Sequence, residues 1–193
     1  MSVILDYGID SEAKTLVLLA LSMCDTNNKK EMDKVHIQKT IKYFEHMQQD
    51  DSIDFSNFLH GGVSYEIQET LETFEEYGLI ENVGSSKYPK YTLTEEGERG
   101  AKELIGKRSK EDLRRLKFAK LQLNDLSFDE TLFFMYMLLP ETREHSTQFE
   151  RLNKKKQILI QRLFLKGRIN SDIASVWLEI DKQTFLDSLP KGC

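Results

Sequence analysis

The side chains that could do covalent or metal chemistry are few and scattered. The histidines are His36, His46, His60 and His145, and none makes an HExxH or paired-ligand spacing. The two cysteines, Cys24 and Cys193, make neither a CxxC nor a zinc spacing, and they fit a reducing compartment. His60-Gly61-Gly62 has the look of an oxyanion loop, but the chain has no GxSxG nucleophile elbow for it to serve. Gly100 to Arg108 reads GAKELIGKR, which has the wrong count and lacks the Ser or Thr of a phosphate loop. No catalytic residue, metal site or cofactor is expected, and the chain is not read as an enzyme. What remains is charge, and clustered charge binds phosphate or an oppositely charged protein.

The net charge of −5 conceals blocks of opposite sign. Residues 1–98 carry 8 basic and 19 acidic side chains, and residues 99–120 carry 9 and 3. Residues 121–150 carry 1 and 6, residues 151–168 carry 7 and none, and residues 169–193 carry 2 and 4. A polyanion responds to local potential rather than to the total, so the two basic blocks are where nucleic acid would be held.

The elements that must position these charges read mostly as helices. Ser2 to Ile9 is a short apolar segment, expected as an extended arm. Ser11 to Met23 is a helix capped by Asp10 or Ser11, apolar almost all round, which marks a central core helix or a subunit interface. Asp33 to Gln48 is the next helix, with Val35, Ile37, Ile41, Phe44 and Met47 near helical spacing and Lys34, Lys39 and Lys42 among them. A long link, Asp50 to Gly62, is anchored by Phe55, Phe58 and Leu59 and turned at Gly61-Gly62. Ser64 caps a helix whose Ile67, Leu71, Phe74 and Tyr77 form one apolar face, ending at Gly78.

A strand at Leu79, Ile80 and Val83, a Gly-Ser-Ser-Lys-Tyr-Pro tip and a returning strand at Tyr91 and Leu93 follow. Thr94 caps a helix that Gly106 and Lys107 end. Ser109 with Asp112, and Ser127 with Glu130, read as capping boxes of two more helices, the second stopping at Pro140. One long helix from Ser146 or Thr147 ends at Gly167. Two short helices, about residues 171–178 and 181–189, close the chain.

The stretch TLETFEEYGLIENVGSSKYPKYTLTEEGERGAKEL resembles winged-helix transcriptional regulators of the broad MarR/PadR kind. The motif elements are Gly78-Leu79-Ile80, Tyr91-Thr92-Leu93-Thr94 and Gly97, and the likeness covers about residues 12–107. It implies a winged helix-turn-helix with a two-stranded wing, DNA binding and transcription regulation. The expected fold is mainly α, with a winged-helix domain over residues 1–107 and an all-helical region over 108–193 for dimerisation or a second helix-turn-helix.

The helix in the recognition position carries Glu66, Glu69, Glu72, Glu75 and Glu76 and no Lys or Arg. Carboxylates held between two rows of phosphates are repelled. Either its first turn alone reads bases, through Ser64, Tyr65 and Gln68, or it does not dock in the usual way. The tip lysines and tyrosine, Lys87, Tyr88 and Lys90, can reach phosphate or the minor groove. As a solvated turn, the same lysines would blunt an exposed sheet edge.

On a helical wheel Arg151, Lys155, Arg162 and Lys166 fall in one stripe interrupted by Ile158, beside an apolar face. No acid lies between Arg151 and Arg168 to neutralise it locally. The stripe is expected either to bind phosphate or to meet an acidic surface, the chain's own residues 1–98 included. The tail GRINSDIASVWLEIDKQTFLDSL is similar to a small antitoxin-like helical family, with Glu179 where a turn glycine belongs. That likeness implies that Lys182, Gln183 and Thr184 open a second DNA-reading helix. A hairpin closing the core or a dimer fits the same residues.

With 39% apolar residues, three prolines and no apolar run near ~18 residues, the chain is expected to fold in the cytoplasm without crossing a membrane. The expected partners are double-stranded DNA and a second copy of the chain. The alternative is an antitoxin-like module whose acidic face meets a basic protein.

Overall fold

The computed structural model describes residues 2–56, 62–143 and 146–190. Phe58, Leu59, His60, Gly61, His145 and Cys193 lie outside the described residues. The protein is mainly helical with one small antiparallel sheet, and it divides into two compact units. The first comprises residues 2–56 and 62–125, the second residues 126–190.

The first unit is built around α2 (Glu12–Ser22), which Ser11 caps by accepting from the Lys14 amide. Leu16 to Leu21 are fully buried without a break, as the all-round apolar pattern requires. Ahead of it, residues 3–6 form a short helix, α1 (Val3–Asp6), where an extended arm was expected. Its start is held by Glu103, which accepts from the Val3 amide at 3.0 Å and the Ser2 hydroxyl at 2.7 Å.

A two-residue strand, β1 (Met32–Asp33), leads into α3 (Lys34–Gln48), capped by Asp33. α4 (Tyr65–Glu76) is capped by Ser64 and ends where Gly78 takes the left-handed φ of +68°. β2 (Ile80–Asn82) and β3 (Lys90–Leu93) pair antiparallel, Ile80 opposite Leu93 and Asn82 opposite Tyr91. β1 adds to the other edge of β3, Met32 opposite Tyr91, so the sheet has three strands in the order β1-β3-β2 rather than two. α5 (Glu95–Lys107), capped by Thr94, packs on α1 and α2, and α6 (Lys110–Leu123) packs on α3.

Several details differ from the sequence reading. Val83 is 54% exposed and Tyr77 52% exposed, so neither belongs to the core. α5 includes Gly106 and ends at Lys107, as expected, with Arg108 extended after it. Ser109 caps α6, but Asp112 does not complete the box. Its carboxylate instead accepts from Gln48 at 2.6 Å and pairs with Arg108 at 3.1 Å.

In the second unit α7 (Phe128–Leu138) opens with the expected reciprocal box between Ser127 and Glu130 and stops before Pro140. The single long helix expected next is two, α8 (Phe149–Asn153) and α9 (Lys156–Leu165). The junction is Asn153-Lys154-Lys155-Lys156, with no apolar side chain to hold the turn against a core.

α10 (Ser171–Leu178) and α11 (Lys182–Asp187) form the closing hairpin, capped by Asn170 and Asp181. The sharp turn does form. Glu179 adopts the left-handed conformation itself, φ +60°, which costs about 1 kcal/mol relative to glycine. Phe185 is buried against Phe164, and Ile180 is exposed.

Candidate nucleic-acid interface

The tip of the β2–β3 ribbon is tightly closed by its own residues. Asn82 accepts hydrogen bonds from the Gly84 amide at 2.9 Å and the Lys90 amide at 3.1 Å. Ser85 accepts from the Tyr88 amide, and Val83 and Lys90 join across the ribbon at 2.8 Å. A Cβ on Gly84 would lie 2.3 Å from the Tyr88 carbonyl oxygen, so the turn closes only around glycine. Gly84 opens the expected tip, and Asn82 is the contributor that sequence reasoning missed, although an Asn-x-Gly spacing is a turn signal. They hold Lys87, Tyr88 and Lys90 outward. Tyr88 is 68% exposed, and the Lys87 ammonium lies 5.4 Å from its ring centroid. A short, internally bonded tip loses little freedom when it meets a ligand.

The first turn of α4 supplies less than expected. Ser64 is fully buried, its hydroxyl caps the Ile67 amide, and its backbone exchanges two hydrogen bonds with the Gln38 side chain. It has no face for a ligand. Tyr65 is exposed, and Gln68 donates to Glu72 at 3.3 Å. Glu66, Glu69, Glu72, Glu75 and Glu76 are all exposed, and none has a cation partner among the described residues. Their field is felt in the sheet: burial, then the Glu75 and Glu72 carboxylates, push the Tyr91 phenol up.

The basic blocks are largely engaged within their own units. Arg151 binds Asp129 through both terminal nitrogens, at 2.9 and 2.7 Å, and Lys155 adds a contact at 3.3 Å. The Arg151 hydrogen bond is the main reason the Asp129 carboxyl sits below its usual range. Lys166 pairs with Glu130 at 2.8 Å, Lys182 with Asp172 at 2.8 Å, and Gln183 donates to Asp187. Arg162 is exposed without an ion pair among the described residues. The acids that neutralise the stripe within its own unit come from α7, and a wheel drawn on one helix cannot show them.

In the first unit Arg99 pairs with Glu96, Arg108 with Glu12, and Arg114 and Arg115 with Glu111. Two lysines counted with the surface charge are inside. Lys39 donates to the Gly62 carbonyl at 2.9 Å, and burial, then Lys42, lower it to about 7. Lys120 donates to the carbonyls of Ala20 and Lys30 at 2.9 and 2.7 Å, and burial lowers it to about 8.

Among the described residues no three His, Cys, Asp or Glu side chains gather as metal ligands, and no helix is long and apolar enough to cross a membrane. Set against models of known families, curated proteins and solved structures, the chain matches none.

Proposed function

We propose that the first unit is a winged helix-turn-helix of a transcriptional regulator, and that it binds duplex DNA through the ribbon rather than through α4. The reading is supported by the element order α2, β1, α3, α4, β2, β3 with a β1-β3-β2 sheet. The observation that carries it is the closed tip presenting Lys87, Tyr88 and Lys90 together to solvent. Lysines at such a tip contact phosphate, and the tyrosine ring lies against sugar or the minor-groove wall. Docking by the ribbon keeps the five α4 glutamates away from the phosphate rows, where groove insertion would press them together. One tip makes few contacts, so a two-fold homodimer placing two tips on one duplex completes the proposal through effective concentration.

The test is binding of a labelled mixed-sequence duplex, followed by fluorescence anisotropy from low to moderate salt. Each lysine–phosphate contact contributes about −0.9 to the slope of log K against log salt. Lys87→Ala with Lys90→Ala is expected to weaken low-salt binding about tenfold or more and to flatten the slope by about 1.8 per tip. Unchanged affinity and slope in the double variant would exclude the ribbon as the contact.

A further inference from the structure

A groove runs along one side of α4, between that helix and the turn joining α1 to α2. It consists of two open clefts of about 570 and 280 Å³ that share Lys14 and Thr73. On the helix side Glu66, Glu69, Thr73 and Tyr77 follow at spacings of three and four, one continuous stripe. On the turn side stand Asp6, Tyr7 and Asp10. Tyr7 and Tyr77 close one end, their ring centroids 5.9 Å apart and tilted by 42°.

The groove therefore has an aromatic end and four carboxylates along its length. Its one cation, Lys14, shows the chemistry that the walls favour. The Lys14 ammonium lies within hydrogen-bond reach of the Gly8 carbonyl at 2.8 Å and the Asp10 carboxylate at 2.7 Å. That contact lowers the Asp10 carboxyl below its usual range. Asp6, Glu66 and Glu69 have no ion-pair partner among the described residues.

We infer that this groove is a docking site for a Lys/Arg-rich segment of a partner protein, with one basic side chain stacked at the Tyr7–Tyr77 end and others set against Glu66 and Glu69. The charge of the walls selects a cationic segment and repels nucleic acid. Tyrosine faces attract guanidinium and ammonium groups, most strongly where water is displaced. The length of α4, twelve residues, is about 18 Å at 1.5 Å per residue. An extended peptide of about six residues covers it. The site lies apart from the ribbon tip and does not depend on the DNA reading.

The test uses the full chain and a labelled dodecapeptide of alternating arginine and serine, with alternating glutamate and serine as the control probe. Binding of the arginine probe is expected to weaken at least tenfold in Glu66→Gln/Glu69→Gln/Tyr77→Ala. It is expected to stay within twofold in Glu81→Gln/Glu95→Gln, which removes the same number of exposed carboxylates elsewhere on the unit. Unchanged thermal midpoints confirm that both variants fold. Lys87→Ala/Lys90→Ala should bind the peptide normally, and the groove variant should bind duplex normally, so the two readings fail separately. No binding of the arginine probe, equal loss in both carboxylate variants, or a dimer that the groove variant dissociates would overturn the assignment.

Discussion

Replacing Gly97 by alanine is expected to destabilise the first unit by about 3 kcal/mol, the cost of an overpacked site that cannot relax. A Cβ there would sit 2.0 Å from the Leu79 carbonyl oxygen and 3.1 Å from Leu93 Cδ2. The carbonyl cannot retreat cheaply, because it already accepts from the Thr94 amide at 3.1 Å. Thr94 in turn caps α5 by accepting from the Gly97 amide and donates its hydroxyl to the Gly78 carbonyl at 2.7 Å. The end of α4, the start of β2, the end of β3 and the start of α5 thus converge on one glycine. Gly106, on the same helix, has nothing within 4 Å of its Cβ position and no left-handed φ. Gly106→Ala is expected to stabilise by ~0.5–1 kcal/mol through helix propensity. Urea unfolding of the two variants separates close approach from propensity, and equal shifts would refute the packing account.

Raising the pH from about 7 to about 10 is expected to increase stability. Lys39 and Lys120 titrate at about 7 and about 8 in the folded chain, against an ordinary 10.5. Across that window the unfolded chain holds protons that the folded chain has released, so the unfolding free energy rises with pH. Below about 7 both states are protonated, and the full cost of burying two ammonium groups is present. Lys42 adds to the cost at Lys39. At Lys120, Asp25, Cys24 and Glu31 reduce it and Lys30 adds to it.

A tenfold difference in proton affinity between the folded and unfolded chain is worth about 1.4 kcal/mol, and a rise of about 2–3 kcal/mol is the expected size. The upper limit of the window is set by tyrosines. Burial raises the Tyr43, Tyr91 and Tyr136 phenols, so their ionisation opposes folding at still higher pH. Chemical unfolding at pH 7, 8.5 and 10 reads the slope, and Lys39→Met is expected to flatten it. A stability that falls across this window would contradict the assignment of both lysines to the interior.

What the sequence made legible was local. Ser11, Ser64, Thr94, Ser127 and Asp181 all act as helix caps where their position ahead of an apolar-periodic run places them, and Asp33, expected as the first helical residue, caps α3 instead. The unbroken buried run Leu16 to Leu21 of α2 and the Ile67-Leu71-Phe74 face of α4 follow from the apolar pattern alone.

What was missed depends on partners distant in the chain. β1 is two residues long and is defined only by pairing with Tyr91 and Lys90. Lys39 and Lys120 look like surface charge until the carbonyls of Gly62, Ala20 and Lys30 surround them. Arg151 and Lys155 look unneutralised until Asp129 is placed beside them. The candidate site follows the same division. The exposure of Lys87, Tyr88 and Lys90 was readable from a turn composition, whereas the burial of Ser64 came from Gln38 on another helix.

The functional reading turns on two surfaces of opposite charge, the ribbon tip and the outer faces of α4. Nuclear magnetic resonance titration of the isotope-labelled full chain with duplex DNA at low salt distinguishes them residue by residue. Amide shifts are expected to fall on Ser85 to Lys90, with Glu69 to Glu76 unmoved. Shifts concentrated on α4, or none anywhere in the first unit, would contradict this reading.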